Sequence, residues 1–211
     1  MKPYLLFDFD GTIADSFHLG ITIANRLAPR YGLKQFSEDD FKRFRSLPMH
    51  KVLKELKLPF YKIPGAIKLV LSEYHHLLGK LEPCAGILDM LQSLKELQIP
   101  MALLSSNNND NLNFFLQRYN IDAFIWVEGT SGILKKANRI CQQLKRHGLK
   151  PSEVVYIGDE VRDIEAARKC GIKMIAVSWG FHTTDLLCSH NPDYLVDKPQ
   201  QIVELAKELS R

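Results

Sequence analysis

Tyr4-Leu5-Leu6-Phe7-Asp8-Phe9-Asp10-Gly11-Thr12 is an apolar run interrupted by two carboxylates two positions apart and stopped by a glycine. A strand that is apolar on both faces is the mark of a buried parallel sheet. Alternation along a strand would point Asp8 and Asp10 to the same side. Gly11 ends the strand, however, so Asp8 reads as its last residue and Asp10 as the first turn of the loop beyond. In open α/β sheets the chemistry sits just past the carboxyl ends of the strands. Two acids there repel each other, and a hard cation such as Mg²⁺, bound by carboxylate oxygens and water, relieves that repulsion. An Asp-Gly turn with one capping acid would use the same residues without any chemistry.

Downstream, residues 16–81 read as helical throughout. Ile21, Ile23, Ala24, Leu27 and Ala28 form one amphipathic stripe that ends near Tyr31-Gly32. Ser37 followed by Glu38-Asp39-Asp40 has the form of an N-cap with acids in the first turn, and Phe41 and Phe44 share a face of the helix it opens. Leu47-Pro48 interrupts, and the segments 49–58 and 66–78 read as two more helices. An all-helical block behind a single strand does not suit simple alternation, so an insertion explains it better.

From Glu82-Pro83 the chain alternates. Helices are expected over 86–98, 112–119, 135–147, from Asp159 to Cys170, and over 199–209. Strands are expected over 101–105, 123–127, 154–157, 174–177 and 194–196. The fold class is therefore α/β, a doubly wound parallel, Rossmann-like sheet with expected strand order 3-2-1-4-5-6 and an inserted all-helical unit. The expected domains are residues 1–15 with 82–211 as the core, and 16–81 as the insertion.

Composition narrows the function. The chain has 211 residues, 45% hydrophobic and 25% charged, with a net charge of +4 and no basic block. That balance gives no case for a nucleic-acid partner and at most a mild preference for small anions. The apolar runs are strand-length, so no membrane span is expected, and no signal-peptide pattern opens the chain. Cys84, Cys141, Cys170 and Cys188 show no C-x-x-C pair and no metal-like spacing with histidine. Reduced thiols in a cytoplasmic protein are the expectation, with disulfides the lesser reading.

Four polar clusters fall at strand ends or at the helix starts that follow: Asp8 with Asp10, Ser106 with Asn107, Lys135 with Lys136, and Asp159 with Asp163. Each has a plain reading as a turn, a cap or a solvated face. Their shared edge points instead to one site. Asp8-Phe9-Asp10-Gly11-Thr12, Leu103-Leu104-Ser105-Ser106-Asn107, a lysine opening the 135–147 helix, and Gly158-Asp159-Glu160-Val161-Arg162-Asp163 together resemble the four motifs of the haloacid dehalogenase-like superfamily. The resemblance spans essentially the whole chain. Its first and fourth motifs are specific, and the run through Trp179-Gly180-Phe181 is most similar to the phosphoglycolate phosphatase-like group.

The resemblance implies a Mg²⁺-dependent phosphomonoester hydrolase of a small phosphorylated metabolite, with residues 16–81 as a helical cap. Asp8 would be the nucleophile, giving an aspartyl-phosphate, and Asp10 the general acid and then the base. Dehalogenases of the superfamily lack an acid at the Asp10 position, because halide leaves without a proton. Mg²⁺ would take the Asp8 and Asp159 carboxylates and the Asp10 carbonyl, with Asp163 orienting metal waters or the lysine. Ser106, Asn107 and the N–H groups of Gly11 and Thr12 would hold phosphoryl oxygens. Lys136 fits the spacing to Ala137 better than Lys135, although the commoner form of the motif is Lys-Pro. Arg45 and Arg43, near the Leu47-Pro48 break, are the cap residues best placed to meet a substrate anion, with solvated helix charges the alternative. His182 could border the site, while Trp179 and Phe181 read as packing. A phosphosugar mutase of the same superfamily, a phospho-aspartate signalling receiver and a binding module on the same fold are the competing readings.

Overall fold

The structure is a computed structural model and describes residues 2–57, 59–129 and 136–211, with Phe60 by its backbone alone. Lys135 lies outside the described residues. Six parallel strands form one sheet: β1 (Tyr4–Phe7), β2 (Met101–Ser105), β3 (Trp126–Gly129), β4 (Val154–Gly158), β5 (Lys173–Val177) and β6 (Tyr194–Val196). Their order is β3-β2-β1-β4-β5-β6, as expected from the sequence. β1 pairs with β2 through Leu5 opposite Met101 and Phe7 opposite Leu103, and with β4 through Tyr4 opposite Val154 and Phe7 opposite Ile157. The winding reverses between β1 and β4, which opens a crevice at the carboxyl ends of those two strands.

β1 holds the centre because both of its faces are apolar. Leu5, Phe7 and Phe9 enter one buried cluster, with Leu103, Ile157 and Ile175. Leu6 enters the other, with Leu104, Tyr156 and Met174. Among the described residues, the helices that cover this sheet include α5 (Ile87–Glu96), α6 (Asn109–Arg118), α7 (Lys136–Arg146), α8 (Val161–Cys170) and α10 (Pro199–Leu209). Ile87, Met90, Leu91 and Leu94 of α5, Leu112 and Phe115 of α6, and Ile202, Val203 and Ala206 of α10 fill the first cluster. Ile140 and Leu144 of α7 and Ile164 and Ala167 of α8 fill the second.

Between β1 and β2 come α1 (Phe17–Leu27), α2 (Glu38–Arg45), α3 (Met49–Glu55) and α4 (Ile63–Leu77). The Ser37 side chain caps α2 by accepting from the Asp40 N–H, and the Asp40 carboxylate returns to the Ser37 N–H. α1 packs along α4, and Arg26 pairs with Glu73 at 2.7 Å. This block has a small cluster of its own, centred on Phe41, Phe44 and Val52. Its inner face, including Leu19, Ile23, Leu27, Tyr74 and Leu77, belongs to the cluster under the sheet. That shared packing seats α4 on the crevice.

Several boundaries differ from the sequence expectation. β1 ends at Phe7, although the Asp8 N–H still donates to the Ile157 carbonyl at 2.8 Å and prolongs the ladder by one bond. α6 starts at Asn109, three residues early, because the Asn108 side chain caps it by accepting from the Asn111 N–H. β3 begins at Trp126, later than expected, and the apolar residues before it include Ile125, which is 67% exposed. The short α9 (Thr184–Ser189) was not anticipated. The expectation of four free thiols is overturned: Cys141 on α7 and Cys170 on α8 form a disulfide, with Cα atoms 5.6 Å apart. The two helices pack side by side, and a separation of 29 residues carries no local sign of that neighbourhood. Among the described residues no helix is long and apolar enough to cross a membrane.

Phe115 is 1% exposed and meets Phe9, the residue between the two aspartates, edge-on at 5.0 Å. Phe115→Ala should cost about 3–5 kcal/mol of unfolding free energy in urea titration, the usual loss for a large aromatic cavity.

Candidate active site

Past β1 the chain turns sharply. The Gly11 N–H donates to the Ala14 carbonyl at 2.9 Å, and the N–H groups of Thr12, Ile13 and Ala14 converge on the Phe9 carbonyl. Gly11 has φ +74°, and a Cβ there would overlap the Asp159 carboxylate. The position needs glycine on both counts. This turn brings the end of β1 against the end of β4.

Three acids meet there. Ligating oxygens of Asp8, Asp159 and Asp163 all lie within 4.8 Å of one another, and the three residues are at most 3% exposed. Asp8 Oδ2 contacts Lys136 Nζ at 2.5 Å, and the same ammonium pairs with Asp163 Oδ1. Asp163 sits in the first turn of α8, where its Oδ2 accepts from the N–H groups of Asp159 at 3.1 Å and Glu160 at 3.0 Å. It therefore caps the helix with one oxygen and holds the lysine with the other. Asp159 Oδ1 accepts from Thr12 Oγ1 at 3.2 Å, and its Oδ2 accepts from the Phe181 N–H at 2.7 Å. Trp179 Nε1 donates to the Thr12 carbonyl at 3.1 Å, so the loop after β5 is tied to the loop after β1.

The charges do not balance. Asp8, Asp159, Asp163 and Glu160 face Lys136 and Arg162, and Arg162 is already paired with Glu160 Oε1 at 2.5 Å. Burial, followed by Glu160, Asp163 and Asp8, pushes the Asp159 carboxyl well above the usual range. Burial works against the Lys136 ammonium, but Asp163 and Asp8 outweigh it and hold its pKa well above that of a free lysine. A cluster of buried oxygen donors with surplus negative charge suits a hard divalent cation. The Asp8 and Asp159 carboxylates are the residues that fit one.

Asp10 stands apart from this cluster. Its Oδ1 accepts from the Tyr74 hydroxyl at 2.7 Å, and its Oδ2 lies 3.4 Å from Asn107 Nδ2. Burial raises its pKa, while hydrogen bonds from Tyr74, Ser16 and Asn107 oppose the rise. Ser106 is half-buried just past β2. Beside Lys136 a cavity of about 560 Å³ opens between Met49, Leu53 and Ile67 of the helical block and Arg162 and His182 of the sheet side. His182 is 1% exposed, and its Nδ1 accepts from the Val161 N–H at 2.9 Å. Burial lowers its pKa.

Thus Asp8, Lys136, Asp159 and Asp163 converge, and Asp10 lies on the neighbouring turn. Four expected phosphate or substrate contacts are engaged elsewhere. The N–H groups of Gly11 and Thr12 are taken by Ala14 and Phe9 within the turn, and Thr12 is fully buried. Asn107 gives its amide to Asp10, while its Oδ1 accepts from Asn111 Nδ2 at 2.8 Å. Arg45 donates from Nε to the Phe181 carbonyl at 2.8 Å and from Nη2 to the Gly180 carbonyl at 2.9 Å, with its guanidinium over the Phe17 ring. It straps the helical block to the loop that supports Asp159. Arg43 pairs with Asp40 and Glu55 on the surface. Tyr74, Glu160 and Arg162 were not foreseen. Tyr74 lies in the apolar stripe of α4, where an aromatic residue signals packing.

Residues 5–177 match the family profile described as haloacid dehalogenase-like hydrolase. The chain belongs to the haloacid dehalogenase-like hydrolase family. Within that family it is 32% identical over 208 residues to a phosphoglycolate phosphatase of Synechococcus elongatus, covering 98% of each chain. It is 24% identical over 206 residues to the pyrophosphatase PpaX of Bacillus velezensis, covering 95% of this chain and 94% of that one. Among solved structures, a haloacid dehalogenase-like family hydrolase from Streptococcus pneumoniae superposes with a TM-score of 0.81 at 25% identity, covering 97% of this chain and 98% of that one.

The burial of Asp8 has a measurable sign. Burial, partly offset by Lys136, pushes the Asp8 carboxyl up from 3.8 to about 6. A carboxyl whose pKa is raised by folding binds its proton more tightly in the folded state, so stability falls as pH climbs through that window. In metal-free buffer the protein should unfold at lower urea at pH 7.5 than at pH 5. Asp8→Asn should shrink that difference, and an unchanged difference in the variant would remove Asp8 as its source.

Proposed function

We propose that the chain is a Mg²⁺-dependent phosphatase that acts on a small phosphorylated metabolite through a phosphoryl group carried on Asp8. The observation that carries this reading is the Asp8 carboxylate held at 2.5 Å by Lys136 and grouped with Asp159 and Asp163 at the sheet's switch point. The names of the relatives support phosphoryl-bond hydrolysis: one is a phosphoglycolate phosphatase and another a pyrophosphatase.

The residues divide the work as follows. Asp8 Oδ forms a bond to phosphorus while the ester oxygen's bond breaks, and Asp10 gives its proton to the departing oxygen. Asp10, now a carboxylate, takes a proton from water. The water oxygen then bonds to phosphorus as the Asp8–phosphorus link breaks, which frees phosphate and restores both acids. Lys136 balances charge on the phosphoryl oxygens, and the Ser106 hydroxyl donates to one of them. Asp163 fixes Lys136 and the start of α8 together. Mg²⁺, held by the Asp8 and Asp159 carboxylates with the Asp10 carbonyl, would screen the phosphoryl oxygens against an anionic nucleophile. Residues 16–81 act as a cap over the core formed by 1–15 and 82–211, excluding water during transfer.

Phosphate release from p-nitrophenyl phosphate, measured with Mg²⁺ and with EDTA, tests this. Turnover should need Mg²⁺ and should fall by about a thousandfold or more in Asp8→Asn, a loss typical of removing a covalent nucleophile. Activity within about tenfold of wild type in that variant, or full activity in EDTA, would contradict the reading.

A further inference from the structure

We propose that Tyr74, carried on the inserted helix α4, is a positioning residue that sets which oxygen of Asp10 delivers the proton, so that proton transfer depends on α4 being seated on the core. This rests on the reading of Asp10 as the general acid.

The geometry makes the two oxygens of Asp10 unequal. Oδ1 accepts a short 2.7 Å bond from the Tyr74 hydroxyl, Oδ2 lies at a long 3.4 Å from Asn107 Nδ2, and Ser16 also bonds the carboxylate. A phenol is protonated at neutral pH and donates to a carboxylate. The shorter bond marks Oδ1 as the stronger acceptor, which leaves Oδ2 to carry the transferable proton. In the transfer the Oδ2–H bond breaks, the leaving oxygen takes the proton, and its former bonding pair to phosphorus becomes a lone pair.

A second line of bonds reaches Asp10 from the next residue of the same helix. His75 Nδ1 lies 2.8 Å from Asn111 Oδ1, Asn111 Nδ2 donates to Asn107 Oδ1 at 2.8 Å, and Asn107 Nδ2 faces Asp10 Oδ2. The Asn108 N–H also donates to Asn107 Oδ1 at 3.0 Å, which fixes the orientation of that amide. Because Asn111 Oδ1 can only accept, His75 Nδ1 carries a hydrogen and every donor in the line points toward Asp10. Asn107 is 2% exposed and Asn111 is fully buried, so this is a built network inside the protein. Two consecutive residues of α4 are thus linked to Asp10, Tyr74 directly and His75 through Asn111 and Asn107.

The test uses leaving groups that differ in their need for a proton. p-Nitrophenolate departs readily unprotonated, whereas phenolate is a poorer leaving group and gains more from an acid. kcat/KM is measured for p-nitrophenyl phosphate and phenyl phosphate, with Mg²⁺, on wild type, Tyr74→Phe and Asp10→Asn. Tyr74→Phe keeps the ring that packs with the core and removes only the hydroxyl. The ratio of the two substrates is taken on one preparation, so it does not depend on the folded fraction. Tyr74→Phe should lower phenyl phosphate turnover about tenfold and p-nitrophenyl phosphate turnover less than about threefold. Asp10→Asn should widen the ratio further, by about a hundredfold, in keeping with a general acid. If Asp10→Asn widens the ratio and Tyr74→Phe leaves it within about twofold of wild type, Tyr74 is packing alone and this proposal is overturned. If Asp10→Asn leaves the ratio unchanged, the general-acid reading falls and takes the proposal with it.

Discussion

Lys136 between Asp8 and Asp163 is the interaction on which the rest of the structure depends. The ammonium is almost fully enclosed, and so are both carboxylates. Burying charges is costly unless they pair and hydrogen-bond, and removing one partner of such a set leaves the others stranded. Here the set joins three elements. Asp8 comes from the end of β1, Lys136 from the first turn of α7, and Asp163 from the first turn of α8, where it also caps the helix. The site and the junction of these elements are one object, and the Asp159 carboxyl completes the buried cluster of acids beside them.

The sheet explains why these groups can meet. β1 is flanked by β2 on one side and β4 on the other, so the loops after three neighbouring strands open at one edge. Close approach is permitted by missing side chains: Gly11 and Gly180 both crowd the Asp159 carboxylate, and a Cβ at either would collide with it. The inserted helices complete the enclosure. Arg45 straps α2 to the carbonyls of Gly180 and Phe181, and Tyr74 of α4 reaches Asp10. The block thus touches the support of Asp159 and the side chain of Asp10 at once.

Much of this was legible in the sequence, for physical reasons that also explain the misses. The buried strands announce themselves as apolar runs ended by Asp8, Ser106 and Asp159, so their order along one edge could be read before any contact was known. The helices of the core follow their apolar stripes to within a few residues. Boundaries slipped where side chains, not periodicity, set them: Asn108 starts α6 inside a polar run that reads as loop. The exposed Ile125 lengthened the apparent strand before Trp126. Long-range partnerships left no local trace. Arg45 looked available for a substrate anion because nothing nearby in sequence reveals the carbonyls of Gly180 and Phe181. Tyr74 lies on an apolar stripe, where nothing nearby in sequence points its hydroxyl to Asp10, and Cys141 and Cys170 meet only because α7 and α8 pack together.

The central claim is that an oxygen of the Asp8 side chain bonds to phosphorus during turnover. Rapid acid quenching of the Mg²⁺-loaded protein with radiolabelled phosphate ester, followed by digestion, tests it most directly. The account predicts acid-stable, alkali-labile label on the peptide that carries Asp8, rising before free phosphate and decaying with it. Phosphate released at the full rate, with no label ever reaching that peptide, would contradict it.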